Sequence, residues 1–129
     1  MVTLPMHQGG CHCGTVRFEI RSTLTRITEC NCSICTKKGV LLHRVDADNF
    51  KLLSGADQLG LYQFGTNRAQ HLFCKRCGIH SFSRPRAAPD AYAVNVRCLD
   101  GYPDVVRDTE VVHFDGQHWE EAAQGFRFR

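Results

Sequence analysis

The sequence predicts a mainly β fold held together by metal, in one domain over residues 1–129. Three observations predict it. Short alternating or apolar runs recur between turn residues, no segment keeps a helical period over three full turns, and seven of the eight cysteines gather in three tight clusters. At 129 residues and 43% hydrophobic, the chain can bury one real core and is too short for two.

The strands follow from the pattern. In "TVRFEI", Thr15 to Ile20, Val16, Phe18 and Ile20 fall on one face while Thr15, Arg17 and Glu19 fall on the other, which is a half-buried strand. Similar runs are "GVLLHRV" from Gly39, "FKLLS" from Phe50, "LGLYQF" from Leu59, "AQHLFC" from Ala69, "IHSFSR" from Ile79 and "AYAVNVRCL" from Ala91. Gly, Asp, Asn and Pro punctuate them as turns require, and "RPRAAPD", Arg84 to Asp90, reads as a surface loop between two strands. The best helical segments are a single turn at Ser33 to Lys38 and the tail around "HWEEAAQG".

Charge and leader signals narrow the setting. The net charge of +3 is mild and its Lys and Arg are scattered among nearly as many acids, which argues against nucleic acid as the main partner. The start "MVTLPMHQGG" has no basic beginning, apolar run or small-residue cleavage site, so a cytoplasmic location is expected. No apolar stretch approaches the roughly 18 residues of a membrane-spanning helix, so a soluble protein with no membrane partner is expected. In that setting a heavy cysteine loading points to metal before disulfides.

The clusters are Cys11-x-Cys13, Cys30-x-Cys32-x-x-Cys35 and Cys74-x-x-Cys77, each in a turn at a strand end. Zinc takes four soft or borderline donors in a tetrahedron, and a close pair lets one turn supply two of them. Gly14 and Gly78 follow directly, where positive φ lets the backbone wrap around an ion. Two pairings are open on spacing alone. Cys11, Cys13, Cys74 and Cys77 can close one structural site and leave a trio, or Cys32 and Cys35 can join Cys74 and Cys77 as a zinc ribbon. A histidine can also complete the trio, with His43 the nearest candidate and His71 and His80 flanking the last pair.

Three protein ligands and one open position is the arrangement of a catalytic zinc. Three thiolates donate so much charge that such a zinc suits an incoming thiol better than it activates water. Plainer readings apply elsewhere. Cys98 reads as a small core residue, His12 points outward between two ligands, and Lys37 and Lys38 are a solvated pair unless they receive substrate carboxylates. A thioredoxin-like redox pair would need a βαβ unit, and none is visible.

The phrases "GGCHCGTVRFEI", "ECNCSICTKKG", "FKLLSG", "HLFCKRCGIHSFSRPR" and "VNVRCLD", in order from Gly9 to Asp100, together with the tail "HFDGQHWEEA", resemble the glutathione-dependent formaldehyde-activating enzymes, a family that shares its domain with the C-terminal part of centromere protein V. The wording of "CNCSIC", "KK" and "FCKRCG" is nearest to short bacterial members and the centromere-protein domain. The resemblance implies an Mss4-like fold of coiled antiparallel sheets stapled by zinc, with two Zn2+ per chain. It implies a structural zinc on Cys11, Cys13, Cys74 and Cys77 and a catalytic zinc on Cys30, Cys32 and Cys35. The implied activity is a carbon-sulfur lyase run in reverse, joining formaldehyde to the glutathione thiol as S-hydroxymethylglutathione, with the glutathione sulfur as fourth ligand.

Two other classes of function stand beside the enzyme. One is a non-catalytic zinc-stabilised module whose surface around Lys37, Lys38, Lys75 and Arg76 meets protein or nucleic acid; the other is redox or zinc buffering by the trio. His43, Arg44, Asn67 and Arg68 are the candidate neighbours of an open zinc.

Overall fold

The computed structural model describes residues 3–126. Among these described residues ten strands form two sheets. The smaller takes β1 (Met6–Gly10), β2 (Arg17–Arg21) and β5 (Phe50–Ser54) in the order β1-β2-β5. The larger takes β3 (Arg26–Cys30), β4 (Leu42–Asp46), β6 (Leu59–Tyr62), β7 (Gln70–Cys74), β8 (Phe82–Arg84), β9 (Ala91–Asn95) and β10 (Glu110–Phe114) in the order β10-β3-β4-β9-β8-β7-β6. Neighbouring strands are antiparallel except β10, which runs parallel to β3 with Phe114 opposite Cys30. Two short helices complete the fold, α1 (Ser33–Lys38) and α2 (Trp119–Gly125).

The core lies between the sheets and follows from strand alternation. Val16, Phe18 and Ile20 are buried as their period demands, and Phe18 reaches across to Phe82 of the larger sheet with ring centroids 5.9 Å apart. Phe50 stacks on Tyr92 at 3.9 Å and meets Phe82 edge-on at 4.8 Å, so β2 and β5 pack on β8 and β9 through aromatic rings. Each buried ring contributes on the order of 2–3 kcal/mol through removal from water, and the sheets are joined chiefly by this layer.

Several expected runs are trimmed for local reasons. The run from Ala91 leaves the sheet at Asn95, whose side chain accepts from the Arg97 amide at 3.2 Å and turns the chain into a 3-10 turn over Val96–Cys98. The run from Ile79 pairs only from Phe82, because the preceding residues close the turn that carries Cys74 and Cys77, with the Cys74 amide donating to Ile79 O at 3.0 Å. Three strands, β1, β3 and β10, have no counterpart in the sequence reading. Among the described residues no helix is long and apolar enough to cross a membrane.

Candidate metal centres and the cavity beside them

Cys11 and Cys13 sit in the turn after β1, while Cys74 ends β7 and Cys77 follows in the next turn. Gly14 at φ 82° and Gly78 at φ 79° supply the left-handed residues that these turns need. The four sulfurs lie within 4.8 Å of one another, with Cys11 and Cys13 3.6 Å apart and Cys13 and Cys74 3.7 Å apart. A tetrahedral zinc with Zn–S of about 2.3 Å needs neighbouring sulfurs about 3.8 Å apart, so this donor set fits the ion in chemistry and spacing. The Val16 amide donates to Cys11 Sγ at 3.2 Å, and the Thr15 hydroxyl, 3.2 Å from Cys13 Sγ, is the main reason that thiol falls to about 6. At Cys13 the thiolate, the form that a metal needs, is favoured.

The second group is built by one tight turn. Cys30 ends β3, Cys32 caps α1 by accepting from the Cys35 amide at 3.4 Å, and Cys35 is in the first turn of that helix. Gly39 closes α1 at φ 69°, returning its amide to Cys35 O. The Cys32 amide in turn donates to Cys30 Sγ at 3.4 Å, and the three sulfurs lie within 4.8 Å of one another. Hydrogen bonding from Cys30 and Cys35 pulls the Cys32 thiol down to about 2, while contact with Cys32 pushes Cys30 up and contacts with Cys30 and then Cys32 push Cys35 up. No histidine or carboxylate among the described residues joins this trio. These three donors also suit a metal such as zinc.

The trio borders a cavity of about 520 Å³. Its floor is one row across four strands of the larger sheet, where Arg44 pairs with Ala93, Ala93 with Ser83 and Ser83 with His71. Two small side chains between a long one and a ring leave the trough. Phe64, Phe114, Trp119 and Phe126 provide apolar walls, and among the described residues no aspartate or glutamate lines the space. Arg86 pins the tail wall by stacking 3.8 Å over Trp119 and pairing with Glu120 at 2.5 Å.

The tail meets the trio directly. A Cβ on Gly116 would stand 2.6 Å from Cys30 Sγ, so only glycine lets the chain cross there. Asn31, between the first two thiols, donates to Asp115 Oδ1 at 3.0 Å and accepts from the Gln117 amide at 3.0 Å. Replacing Asn31 by Ala should lower stability by about 1 kcal/mol and speed hydrogen exchange at the Gln117 amide. Unchanged protection of Gln117 would show that the clamp does not hold the tail in solution.

The comparisons with known proteins bear on this arrangement. The family described as glutathione-dependent formaldehyde-activating enzyme matches residues 6–115, which includes all seven clustered cysteines. The chain belongs to that family. A Halomonas elongata protein provisionally described as a glutathione-dependent formaldehyde-activating enzyme is 35% identical over 80 residues, 54% of this chain. That match spans 50% of the Halomonas protein's own length. The crystal structure of a Rhodobacter sphaeroides protein superposes with a TM-score of 0.73 at 34% identity, covering 81% of this chain and 99% of the other. The family match ends at Asp115, so Gly116, Trp119 and Phe126, which close one side of the cavity, lie beyond it.

Within this family member the structure separates residues that the sequence leaves together. The zinc-ribbon pairing is not formed, because Cys32 and Cys35 group with Cys30 and not with Cys74 and Cys77. His43 cannot complete the trio. On β4 it points away from the cavity that its neighbours Leu42 and Arg44 line, and its ring is held by Ser22 Oγ at 2.6 Å and Arg26 O at 2.7 Å. His71 does reach the cavity, while His80 packs on Phe73 with centroids 5.5 Å apart. Arg44 lines the cavity that the trio borders, whereas Asn67 is a turn residue at φ 55° and Arg68 is exposed. Cys98 is half-buried against the core outside both groups, and His12 is exposed. Lys37 and Lys38 part company: Lys37 is exposed and Lys38 turns into the cavity. The roles of Asn31, Gly116 and the aromatic tail wall are not readable from local pattern, since each acts through a contact distant in sequence.

Proposed function

We propose that the protein is a zinc-dependent enzyme of the carbon-sulfur lyase type, joining a small thiol such as glutathione to an aldehyde such as formaldehyde, or cleaving that adduct. Two Zn2+ per chain are inferred, a structural one on Cys11, Cys13, Cys74 and Cys77 and a catalytic one on Cys30, Cys32 and Cys35. The observation that carries the reading is the trio of converging sulfurs on the wall of a cavity with no fourth protein donor among the described residues. Zinc held there supplies an open position at which a small thiol loses its proton.

The chain's own residues provide the rest. The aromatic walls restrict water, and an acid-free lining containing Lys38 and Arg44 attracts an anionic thiol such as glutathione. A cytoplasmic setting, where glutathione is abundant in reduced form, suits this chemistry.

The test is the rate of exchange between 13C-formaldehyde and its hydroxymethyl thioether, followed by NMR with glutathione and a panel of other small thiols. Faster exchange than in protein-free buffer with at least one thiol is expected. Exchange at the uncatalysed rate with every thiol would sink the enzymatic reading.

A further inference from the structure

We propose that Lys38 is the proton carrier of this reaction and that His71 positions it, an inference that rests on the thiol-aldehyde reading. The geometry brings the two together from two different elements that line the cavity. Lys38 is the last residue of α1, three positions beyond Cys35, and its Nζ lies 3.3 Å from His71 Nδ1. His71 is 8% exposed, and its ring stacks against Phe64 with centroids 5.6 Å apart at 22°. It ends the floor row that begins at Arg44, so the backbone register of four strands sets its place.

The surroundings give this pair a defined character. Burial, and then the neighbouring Lys38, hold His71 down to about 4, so its ring is neutral and Nδ1 can accept from the Lys38 ammonium. Burial also lowers Lys38, against the opposing pull of Cys35, Cys32 and Cys30, and makes its proton easier to give up than that of a surface lysine. The groups facing it are those three thiols from β3 and α1, His71 from β7, and His80 before β8. Arg44, Arg84 and Arg86 line the same cavity, and among the described residues no carboxylate does. A lysine beside a thiol site, without a carboxylate to trap its charge, is suited to proton transfer.

The step balances without an added acid or base. The Lys38 amine takes the S–H proton of the incoming thiol. The sulfur lone pair forms the S–C bond to the aldehyde carbon, the C=O π pair moves to oxygen, and the Lys38 ammonium returns the proton to that oxygen. The product is the hydroxymethyl thioether, nothing is oxidised or reduced, and cleavage runs through the same transfers in reverse.

The experiment compares wild type, Lys38→Arg, Lys38→Met, His71→Phe and His71→Asn for zinc content, glutathione affinity by calorimetry, and the pH profiles of kcat and KM. Arginine keeps the charge but does not release its proton, so Lys38→Arg should keep zinc and bind glutathione within about twofold while kcat falls about 100-fold or more. Lys38→Met should lose rate to the same degree, bind glutathione more weakly, and raise the titration of the His71 ring seen by NMR. His71→Phe, which keeps an aromatic ring but no acceptor, should lower kcat with little change in KM and move the acid limb of the kcat profile to lower pH. His71→Asn, which keeps an acceptor near the Nδ1 position, should restore part of both. Wild-type kcat in Lys38→Arg, or a rate loss matched by an equal loss of glutathione affinity, would overturn the proton role while the thiol-aldehyde reading stands. A wild type that neither binds the thiol nor speeds the adduct would overturn both.

Discussion

Stripping metal from the protein with a chelator, or replacing Cys77 by Ser, should unfold most of the domain, read as loss of the cooperative thermal transition in circular dichroism. Cys11 and Cys13 follow β1 of the smaller sheet, whereas Cys74 and Cys77 follow or end β7 of the larger one. An ion on all four therefore cross-links the sheets at one end, with the aromatic layer of Phe18, Phe50 and Phe82 joining them in the middle. Treated as a cross-link, closure of so long a loop contributes about 4 kcal/mol, and a structural zinc contributes more through its own binding. Domains of this size are stable by only about 5–15 kcal/mol, so the loss takes most of the total. An unchanged transition in excess chelator would show that the aromatic core holds the sheets without metal.

Replacing Cys32 by Ser should have the opposite profile, abolishing thiol binding and reducing adduct formation by two orders of magnitude or more while the fold persists. The local reason lies in the cap. Cys32 accepts from the Cys35 amide at the start of α1, and serine is among the best residues at that position, so the helix keeps its N-terminal hydrogen bond. The metal loses one of three sulfur donors and keeps a poor oxygen in its place. The thermal midpoint should move by only a few degrees, on the order of 1 kcal/mol in stability. Retained activity would remove the trio from the chemistry, and wholesale unfolding would make it a second structural staple.

Much of this fold is legible in the chain where local rules act alone. β5 is read residue for residue because Phe50 to Ser54 is a short run bounded by Asn49 and Gly55, and the single turn at Ser33 to Lys38 is α1, which the structure caps with Cys32 and ends at Gly39. β1 escapes notice because "MHQGG" ends in two glycines, and Gly9 belongs there only because a Cβ would meet Cys98 O at 2.4 Å. β3 and β10 pair in parallel across about eighty residues, a partnership that no local pattern announces. The clusters themselves are visible as spacing, but their division into four and three is a property of which turns the two sheets bring together. The cavity is less legible still, because Arg44, Ala93, Ser83 and His71 come from four strands. The paired lysines show the same limit: helical rotation sends Lys37 to solvent and Lys38 inward, which also takes one charge from the basic surface that a binding module would use.

The central claim is that the Cys30, Cys32 and Cys35 trio is an open metal site that accepts a thiol. Its most direct test is zinc stoichiometry of the purified protein, together with calorimetric titration of glutathione into wild type and Cys32→Ser. The account predicts two zinc ions per chain and glutathione binding that disappears in the variant. Two zinc ions with glutathione binding unchanged by Cys32→Ser, or with none in the wild type, would contradict it.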